Sequence, residues 1–457
     1  MRAKTLTILL GAIVALSAAA PGLLGMQAQR QYDRYVDQLA GAGYQITDRT
    51  YARGWFSSDA GFTASLPVGP DSTAALHFRN RIAHGPFLGE PRAFGLARID
   101  SELRVGDAPL LVGDGRAPVR TAVGLLGDTY TVIDLPARQL ALEGGALQLE
   151  SGALTGELRT AAGQAGADGY LALPLLRLRG NEGESVELTG LRLDGGMRRS
   201  ASGLALGEWR MAVEGLGGSQ AGTELRLAGL EVVARSDEKE GLVEGSADYR
   251  LRQFTADGVT YGPMELRVAV SRLPAEALAR IQQAMDDVGA TSDELRAQAA
   301  GLALLSNADA LLAQDPVVAL ERLQVDTPEG RVEGQIELRS VGLRLAQIKD
   351  ATSALRRVEG KASLRVPEVL LTRFLAQDAA MRLAAASEEA GETVDEAAVE
   401  ASSAEAAREA VAGLVGQELL VRDGGQLAAT ALWRNGLLTV NGKTVPLTLP
   451  SAPKPGN

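Results

Sequence analysis

The chain has 457 residues, 46% of them hydrophobic and 23% charged, which is the composition of a folded protein of two or three subdomains. Its net charge is −11, and the absence of cysteine excludes disulfides, cysteine-ligated zinc and thiol nucleophiles. Only Arg2 and Lys4 are charged within residues 1–29, so the remainder carries 44 of the 46 basic residues against 57 acidic ones. This acidic remainder lacks an aromatic-rich basic patch, which argues against nucleic-acid binding.

The N-terminal segment is predicted to hold the protein in a membrane. No residue from Thr5 to Gln29 is charged, and as a helix this run would reach roughly 37 Å, enough to cross a hydrocarbon layer of ~30 Å. Positive charge precedes the run and stays on the cytoplasmic side, so the remainder is expected to be translocated. The alternative is a cleaved signal peptide with Ala18–Ala20 before the cut. Pro21 directly after them favours the uncleaved anchor.

Beyond the anchor, residues 26–43 predict a polar helix with Tyr32, Tyr35, Val36 and Leu39 at helical spacing. The chain then changes to apolar residues that recur at period two between glycine-rich turns. Examples are Leu140/Leu142, Leu147/Leu149, Leu171/Leu173, Leu225/Leu227, Met264/Leu266/Val268/Val270 and Ile336/Leu338. This pattern predicts a long antiparallel sheet with one apolar and one polar face. Within some predicted strands the apolar residues change from odd to even positions, as between Leu173 and Leu176. Such a change would move them to the other face of the sheet, so we predict bulges and strong curvature.

Two helical stretches interrupt the predicted sheet. Residues 274–314 predict two helices broken near Gly289, and residues 367–416 predict an Ala- and Glu-rich helical segment whose acidic part is a solvated face or a partly disordered linker. Three short strands are expected over 426–433, 437–440 and 445–449. Asn435-Gly436 and Asn441-Gly442 predict two-residue hairpin turns between them.

Residues that carry common enzyme chemistry are scarce. His77 and His84 are seven positions apart in a predicted strand, so they lie on opposite faces and do not suit one metal. The sequence has no GxSxG elbow, no Walker loop and no GxGxxG opening a helix. We therefore expect no catalytic residues, no cofactor and no metal site, and we do not expect an enzyme.

The most unusual local sequence is Arg53-Gly54-Trp55-Phe56-Ser57-Ser58. A Trp-Phe pair flanked by glycine and serines suits a tight turn into a strand. We expect Trp55 to be buried against the first edge of the sheet as a structural plug. A contact between Trp55 and a ligand or partner is the alternative.

An N-terminal anchor, a polar helix and then Tyr-x-Arg-Gly-Trp-Phe-Ser-Ser resemble the start of the bacterial YdgA-like family. The similarity continues in residues 82–87, which include His84-Gly85-Pro86, in residues 326–330, and in residues 434–443, which include Asn441-Gly442. Gln29 departs from the family pattern, which has an acid there. The resemblance implies a single-pass inner-membrane protein of Gram-negative bacteria that faces the periplasm, and it brings no activity and no roles for the motif residues. More distantly, the leucine-alternating strands and the helix start at Pro274 are similar to AsmA-type envelope proteins, which are associated with lipid movement along a β-groove.

These patterns predict an α+β fold, in which an N-terminal transmembrane helix precedes a large, curved, mostly antiparallel β-sheet with helices packed on it or capping it. The predicted divisions are a signal-anchor over 1–29, a polar helix and β-rich domain over 30–272, a helical pair with strands over 273–366, an acidic helical segment over 367–416, and C-terminal strands with a Pro-rich tail over 417–457.

Two functions of different class fit this organisation. The first is a non-enzymatic envelope protein, held in the inner membrane through residues 5–29 with its N-terminus cytoplasmic, whose concave sheet binds lipid or another apolar ligand. Its basis is the number of leucine-lined strands set against few large aromatics to fill a closed core. The second is an envelope scaffold whose sheet is closed by its own helices and which binds protein partners.

Overall fold

The computed structural model describes residues 29, 32–33, 36–37, 40, 45–69, 72–105, 108–111, 116–142, 147–181, 183–220, 223–287, 293–348, 351–390 and 396–445. The chain divides into two compact units. The first comprises Met1–Arg226, Val233–Gly241 and Ala275–Asn307, and the second comprises Leu227–Val232, Leu242–Pro274 and Ala308–Asn457.

The first unit is an antiparallel sheet. Its strands are β1 (Gln45–Arg53), β2 (Ser57–Gly69), β3 (Ser72–His84), β4 (Ala97–Val105), β5 (Ala108–Leu111), β6 (Val119–Val123), β7 (Thr129–Leu135), β8 (Arg138–Leu142), β9 (Leu147–Ser151), β10 (Leu154–Thr160), β11 (Gly166–Gly180), β12 (Ser185–Arg199) and β13 (Ala205–Gln220). They pair in the order β1–β2–β3–β4–β6–β7–β10–β11–β12–β13, with β5 on β4 and β9 on both β8 and β11. Strand β14 (Thr223–Lys239) contributes residues to both units.

The core of the first unit lies under the N-terminal helix, whose residues 29, 32–33, 36–37 and 40 are described as helical. Tyr32 and Val36 are buried against Phe62 and Ile82 of the sheet. Burial alternates along β3, as expected for a strand with one face on the core. Asn80, Ile82 and His84 are buried, whereas Arg79 and Arg81 are exposed. The predicted polar helix is thus confirmed at its described residues.

The second unit is also an antiparallel sheet. Its strands are β15 (Leu242–Ala256), β16 (Val259–Tyr261), β17 (Met264–Pro274), β18 (Val317–Thr327), β19 (Gly330–Ser340), β20 (Val358–Pro367), β21 (Val421–Asp423), β22 (Gln426–Arg434), β23 (Leu437–Val440) and β24 (Lys443–Val445). They pair in the order β15–β17–β18–β19–β20–β22–β23–β24, with β16 on β15 and β21 on β22. The prediction of a mostly antiparallel β-protein with few helices is confirmed.

Helices occupy both stretches in which the sequence predicts them, and a short helix at Ala351–Leu355 was not predicted. They are α1 (Ala275–Asp287), α2 (Asp293–Leu312), α3 (Ala351–Leu355), α4 (Glu368–Ala390) and α5 (Glu396–Gly416), with short 3-10 turns at Ala162–Gln164 and Leu345–Gln347. Helices α1 and α4 each begin directly after a proline, Pro274 and Pro367, which ends a strand. The predicted break near Gly289 falls between α1 and α2, whereas the division of residues 367–416 into α4 and α5 was not predicted.

Local turn chemistry also agrees with the sequence. The central residues of both predicted hairpin turns have positive φ, 54° and 77° at Asn435-Gly436 and 47° and 82° at Asn441-Gly442. Two consecutive positive φ angles match the right-handed twist of the flanking strands. Bulges shift the register of the β15–β17, β17–β18 and β18–β19 pairs, which are not the strands whose apolar phase slips in the sequence. The β11–β12 pair keeps one register from end to end, so no inserted residue absorbs the slip between Leu173 and Leu176.

Among the described residues, no helix combines the length and the hydropathy needed to cross a bilayer. The predicted anchor over residues 1–29 lies outside the described residues except for Gln29.

Candidate functional site

The motif at residues 53–58 and the motif at residues 82–87 meet at one end of the first unit's sheet. The β1–β2 turn, the loop between β3 and β4 and the β6–β7 turn all lie at this end, because their strands are antiparallel neighbours. We call residues 53–58, 84–96 and 124–128 the tip. Backbone hydrogen bonds join its parts, from His84 N–H to the Phe56 carbonyl at 2.8 Å and from Leu96 N–H to the Val123 carbonyl at 2.8 Å.

A buried hydrogen-bond chain lies beneath the tip. Ser58 Oγ and His84 Nε2 are 2.8 Å apart, and His84 Nδ1 lies 3.0 Å from the backbone carbonyl oxygen of Trp55. Because a carbonyl only accepts, Nδ1 carries a hydrogen and donates it, and in the tautomer that is protonated only at Nδ1 the Ser58 hydroxyl donates to Nε2. This chain ties together two motifs that are 26 residues apart.

A serine that donates to an oriented histidine is also the arrangement of an activated nucleophile. Here Ser58 exposes 1% of its surface and His84 exposes 5%, so a substrate does not reach the Ser58 hydroxyl. Burial raises the pKa of the Tyr51 phenol, which lies beside Ser58, so that phenol stays uncharged at neutral pH. The pair therefore fastens the turn to β3 and presents no nucleophile to solvent.

Gly85 is required at the tip because two backbones approach closely there. A Cβ atom at Gly85 would lie 1.8 Å from the carbonyl oxygen of Gly95, and its N–H donates to the Leu96 carbonyl at 2.8 Å. A Cβ atom at Gly54 would lie 2.7 Å from the carbonyl oxygen of Ser57. These glycines account for two motif positions by backbone packing alone.

The expectation that Trp55 is buried against the sheet is wrong. Trp55 is 58% exposed, and Phe56 beside it is 65% exposed. The physical reason is that the inward positions of β2 begin at Ser58 and continue through Ala60 and Phe62, whereas Trp55 and Phe56 lie in the turn before the strand alternation starts. The alternative, in which Trp55 contacts a ligand or partner, remains a prediction.

Other large hydrophobic side chains extend this exposed surface. Phe87 and Phe94 face each other across the β3–β4 loop with ring centroids 5.2 Å apart, and both are exposed. Leu125 and Leu126 are exposed in the β6–β7 turn. Sequence reasoning found Trp55, Phe56 and His84 through the motifs but missed Phe94 and the Leu125-Leu126 pair, because only strand pairing brings these three segments to one end.

The charged side chains of the β3–β4 loop and the β6–β7 turn form ion pairs. Arg92 binds Asp128 and so links the β3–β4 loop to the β6–β7 turn. Arg116 binds Glu90, and Arg120 lies 3.8 Å from the same carboxylate. These pairs hold the loop against the sheet without leaving a strong local charge.

The last motif, residues 434–443, lies in the second unit and has a structural explanation. Asn441 Oδ1 accepts from the backbone N–H of Thr430 at 2.8 Å, and its Nδ2 donates to the carbonyls of Glu418 and Leu419 at 3.0 and 3.1 Å. Gly442 completes the turn at φ 82°. Asn441 therefore fastens the segment that follows α5 to the sheet.

A family model described as a bacterial protein of unknown function (DUF945) matches residues 2–448. The chain belongs to this family. No curated protein and no solved structure matches the chain. The match of a DUF945 model along almost the full length confirms the expectation of a bacterial family without an assigned role, and the function has to be argued from the geometry of this chain.

A second candidate surface in this DUF945 chain is one face of the second unit's sheet. Cross-strand pairs align its aliphatic residues in rows, Val268–Leu320–Ile336 and Val270–Val318–Leu338. Val318 is 56% exposed and Leu338 is 47% exposed, although both occupy interior positions of their strands. We call the face that bears Val268, Val270, Val318, Leu320, Ile336, Leu338 and Leu364 the apolar face. Residues of β18, β19, β20 and β22, among them Leu323, Gly334 and Leu364, line a concavity of about 560 Å³.

The apolar face is covered at one end. Val366 and Leu427, the next row of the same face, pack against Val411 of α5 and Leu420, and Leu427 is fully buried. The opposite face of the sheet is polar, with ion pairs between Lys361 and Glu337 at 2.8 Å and between Arg434 and Glu359 at 3.2 Å. The predicted division into an apolar and a polar face is therefore present in this unit.

Metal chemistry finds no support in the described part of the chain, where no three His, Asp or Glu side chains come close enough to hold an ion. His77 Nδ1 lies 3.0 Å from the Thr63 hydroxyl, while His84 bonds Ser58. The two histidines therefore form hydrogen bonds with different side chains.

Proposed function

We propose that this protein is a non-enzymatic envelope protein, anchored in the inner membrane of a Gram-negative bacterium, that holds lipid acyl chains against the apolar face of its second unit. One observation carries the proposal. Val268, Val318, Ile336, Leu338 and Leu364 form neighbouring rows of aliphatic side chains, each at least 38% exposed, on one face of a sheet whose other face is ion-paired.

The physical argument is the cost of leaving such rows in water. Contiguous exposed apolar surface is rare in soluble monomers unless it binds something. An acyl chain laid across the rows would gain about 0.8 kcal/mol for each buried CH₂ group, so even half a chain would bind measurably. Lipid is also the apolar molecule most abundant beside a membrane-anchored domain.

The resemblances drawn from the sequence support the same proposal. A YdgA-like protein would face the periplasm, and the more distant similarity to AsmA-type proteins links leucine-lined sheets with lipid movement along a groove. The alternative of a scaffold with a closed core receives less support, because α4 and α5 pack over the Val366–Leu427 end of the apolar face while Ile336 and Leu338 stay exposed.

Site-specific photo-crosslinking in cells tests the lipid proposal on the full chain. A photoreactive phenylalanine analogue replaces Leu338 or Val318, and mass spectrometry identifies what is attached after irradiation. The matched control is Leu432, which is 53% exposed on the opposite, polar face of the same sheet. We expect phospholipid adducts at positions 338 and 318 and none at 432. Protein adducts in place of lipid at 338 and 318 would support the scaffold, and equal lipid adducts at all three positions would refute a specific lipid face.

The anchoring part of the proposal has its own test. The expressed protein should sediment with inner membranes, and its mature N-terminus should precede Pro21. A phosphatase fused after Asn457 should be active, because that enzyme folds only on the periplasmic side. A soluble periplasmic form that begins at Pro21 or later would refute the anchor.

A further inference from the structure

We infer that the tip is a membrane-contacting surface, in which Trp55, Phe56, Phe87, Phe94, Leu125 and Leu126 enter the headgroup region of the bilayer that holds the anchor. This inference rests on the anchoring proposed above and adds to it the orientation of the first unit. It assigns a role to the motif aromatics that is separate from the apolar face of the second unit.

The first step is the direction of the N-terminal helix. Strand β1 runs toward the tip, since Arg53 ends it there and Gln45 begins it at the opposite end of the sheet. Ala40, the last described helical residue, precedes Gln45 by five positions. The C-terminal end of the helix therefore lies near the end of the sheet that is distant from the tip.

The second step places the other end of the helix. The Tyr32 ring lies 5.7 Å from the Tyr51 ring, and Asn80 Nδ2 donates to the Tyr32 hydroxyl at 2.9 Å. Tyr51 and Asn80 are both close to the tip ends of their strands. Gln29 is one helical turn before Tyr32, which places it about 4.5 Å nearer to the tip. The chain therefore enters the first unit from the tip side.

The third step connects this entry point with the anchor. Residues 5–29 carry no charge and are long enough to span a bilayer. If they do so, the membrane surface lies next to Gln29, and the tip is the part of the first unit's sheet that approaches it. Arg49 bonds Asp33 at 2.5 Å and Asp37 at 2.8 Å, which ties the N-terminal helix to β1.

The chemistry of the tip suits this location. Trp and other amphipathic aromatics are enriched at the level of lipid headgroups. The chain has only 3 Trp, 8 Tyr and 7 Phe, yet four of these aromatics are exposed on two neighbouring segments of the tip. This concentration is not explained by packing, because none of the four belongs to the core cluster of Tyr32, Phe62 and Ile82 and each is more than half exposed.

Charge is consistent with the same partner. The net charge of −11 would keep most of the surface away from anionic lipids. The three turns at residues 53–56, 85–96 and 124–128 contain Arg53 and Arg92 against Glu90 and Asp128, so they are neutral as a group. Arg53 is exposed at the edge of the tip, where a guanidinium suits a lipid phosphate.

Spin labelling of the full chain in proteoliposomes tests the inference. The chain has no cysteine, so single-cysteine variants carry one nitroxide each. Labels replace Phe87, Phe94 or Leu126 at the tip, and Thr47, which is exposed near the opposite end of β1, is the matched control. We expect the tip labels to collide with oxygen dissolved in lipid more than with a water-soluble nickel complex, and the Thr47 label to show the reverse.

A second readout avoids the label. Trp55→Phe and wild-type protein are compared in vesicles of plain and brominated phosphatidylcholine, so that the difference in emission belongs to Trp55. We expect brominated lipid to quench most of the emission that Trp55→Phe removes. Protein that floats with the vesicles but leaves Trp55 unquenched and the tip labels in water would overturn the tip inference and leave the anchor intact; a tip that then crosslinks to a protein would identify a protein partner instead. Protein that does not float would overturn the anchor and the tip inference together.

Discussion

The tip of the first unit and the apolar face of the second unit both expose large hydrophobic side chains, but for different reasons. Trp55 and Phe87 are exposed because they lie on turns outside the strand alternation, above the buried polar pair Ser58–His84. Val318 and Leu338 follow the strand alternation. They are exposed because α4 and α5 cover only the Val366–Leu427 end of their face. Exposure at the tip is thus a property of local turns, whereas exposure of the apolar face depends on what packs over the sheet.

The largest expected effect on stability comes from a single glutamate substitution, which we compare at a buried and at an exposed position of the apolar face. In Leu427→Glu the carboxylate would be buried without a partner, and we expect a loss of more than about 4 kcal/mol and unfolding of the second unit. In Leu338→Glu the same group reaches water, so the change should stay within about 1 kcal/mol. Thermal melting followed by circular dichroism measures both. Equal destabilisation of the two variants would show that the face is covered throughout.

The next largest effect on stability is expected for the buried side chains of the tip, in contrast to the exposed ones. His84→Ala removes the partner of both the Ser58 hydroxyl and the Trp55 carbonyl, and we expect a loss of about 2–4 kcal/mol. Trp55→Ala should change stability by only about 0.5 kcal/mol, since the side chain is mostly in water. His77→Ala, on the same strand but exposed, is the matched control. Urea unfolding compares the three variants, and a large loss in Trp55→Ala would restore the plug interpretation.

A smaller effect concerns the attachment of the segment that follows α5. Asn441→Ala loses the hydrogen bonds to Thr430, Glu418 and Leu419 and also places alanine at φ 47°, so we expect a loss of about 2 kcal/mol. Asn441→Gly keeps the backbone conformation and should lose about half as much. Melting temperatures of the two variants give the comparison. Identical losses would mean that the side-chain bonds alone matter at this position.

The smallest effect is a pH dependence at the start of α4. The Arg422 guanidinium, which bonds Glu368 at 2.7 Å, holds the pKa of that carboxyl below its usual value. A lowered carboxyl pKa contributes stability above the unfolded value of about 4.3 and loses it as the pH falls through the folded value. Glu368→Gln should therefore melt slightly below wild type at pH 7, and the difference should vanish once the pH falls below the folded value. A difference that persists in acid would assign the effect to packing, since a partly exposed pair is weak in any case.

Much of the architecture follows from sequence patterns, and particular misses show why the rest does not. Period-two leucines located strands β9, β17 and β19, and the prolines at 274 and 367 located the helix starts. The candidate residues Arg53–Ser58 and His84–Pro86 were found by their motifs, yet their proximity depends on β2–β3 pairing. Phe94 and Leu126 have no motif, and only the antiparallel order of four strands brings them to the tip. Asn441 was recognised as a turn residue, while its bonds to Glu418 and Leu419 depend on where α5 ends.

The sequence by itself determined the features that depend on neighbours within a few positions. These are the alternation within each strand, the helix boundaries after Pro274 and Pro367, and the positive φ angles of Asn435-Gly436 and Asn441-Gly442. Only the tertiary structure decided which side chains are covered, because burial depends on partners distant along the chain. Ser58 meets His84 from 26 positions away and Tyr32 meets Asn80 from 48, while Trp55 and Leu338, which are as apolar as the core residues, have no comparable cover and stay exposed.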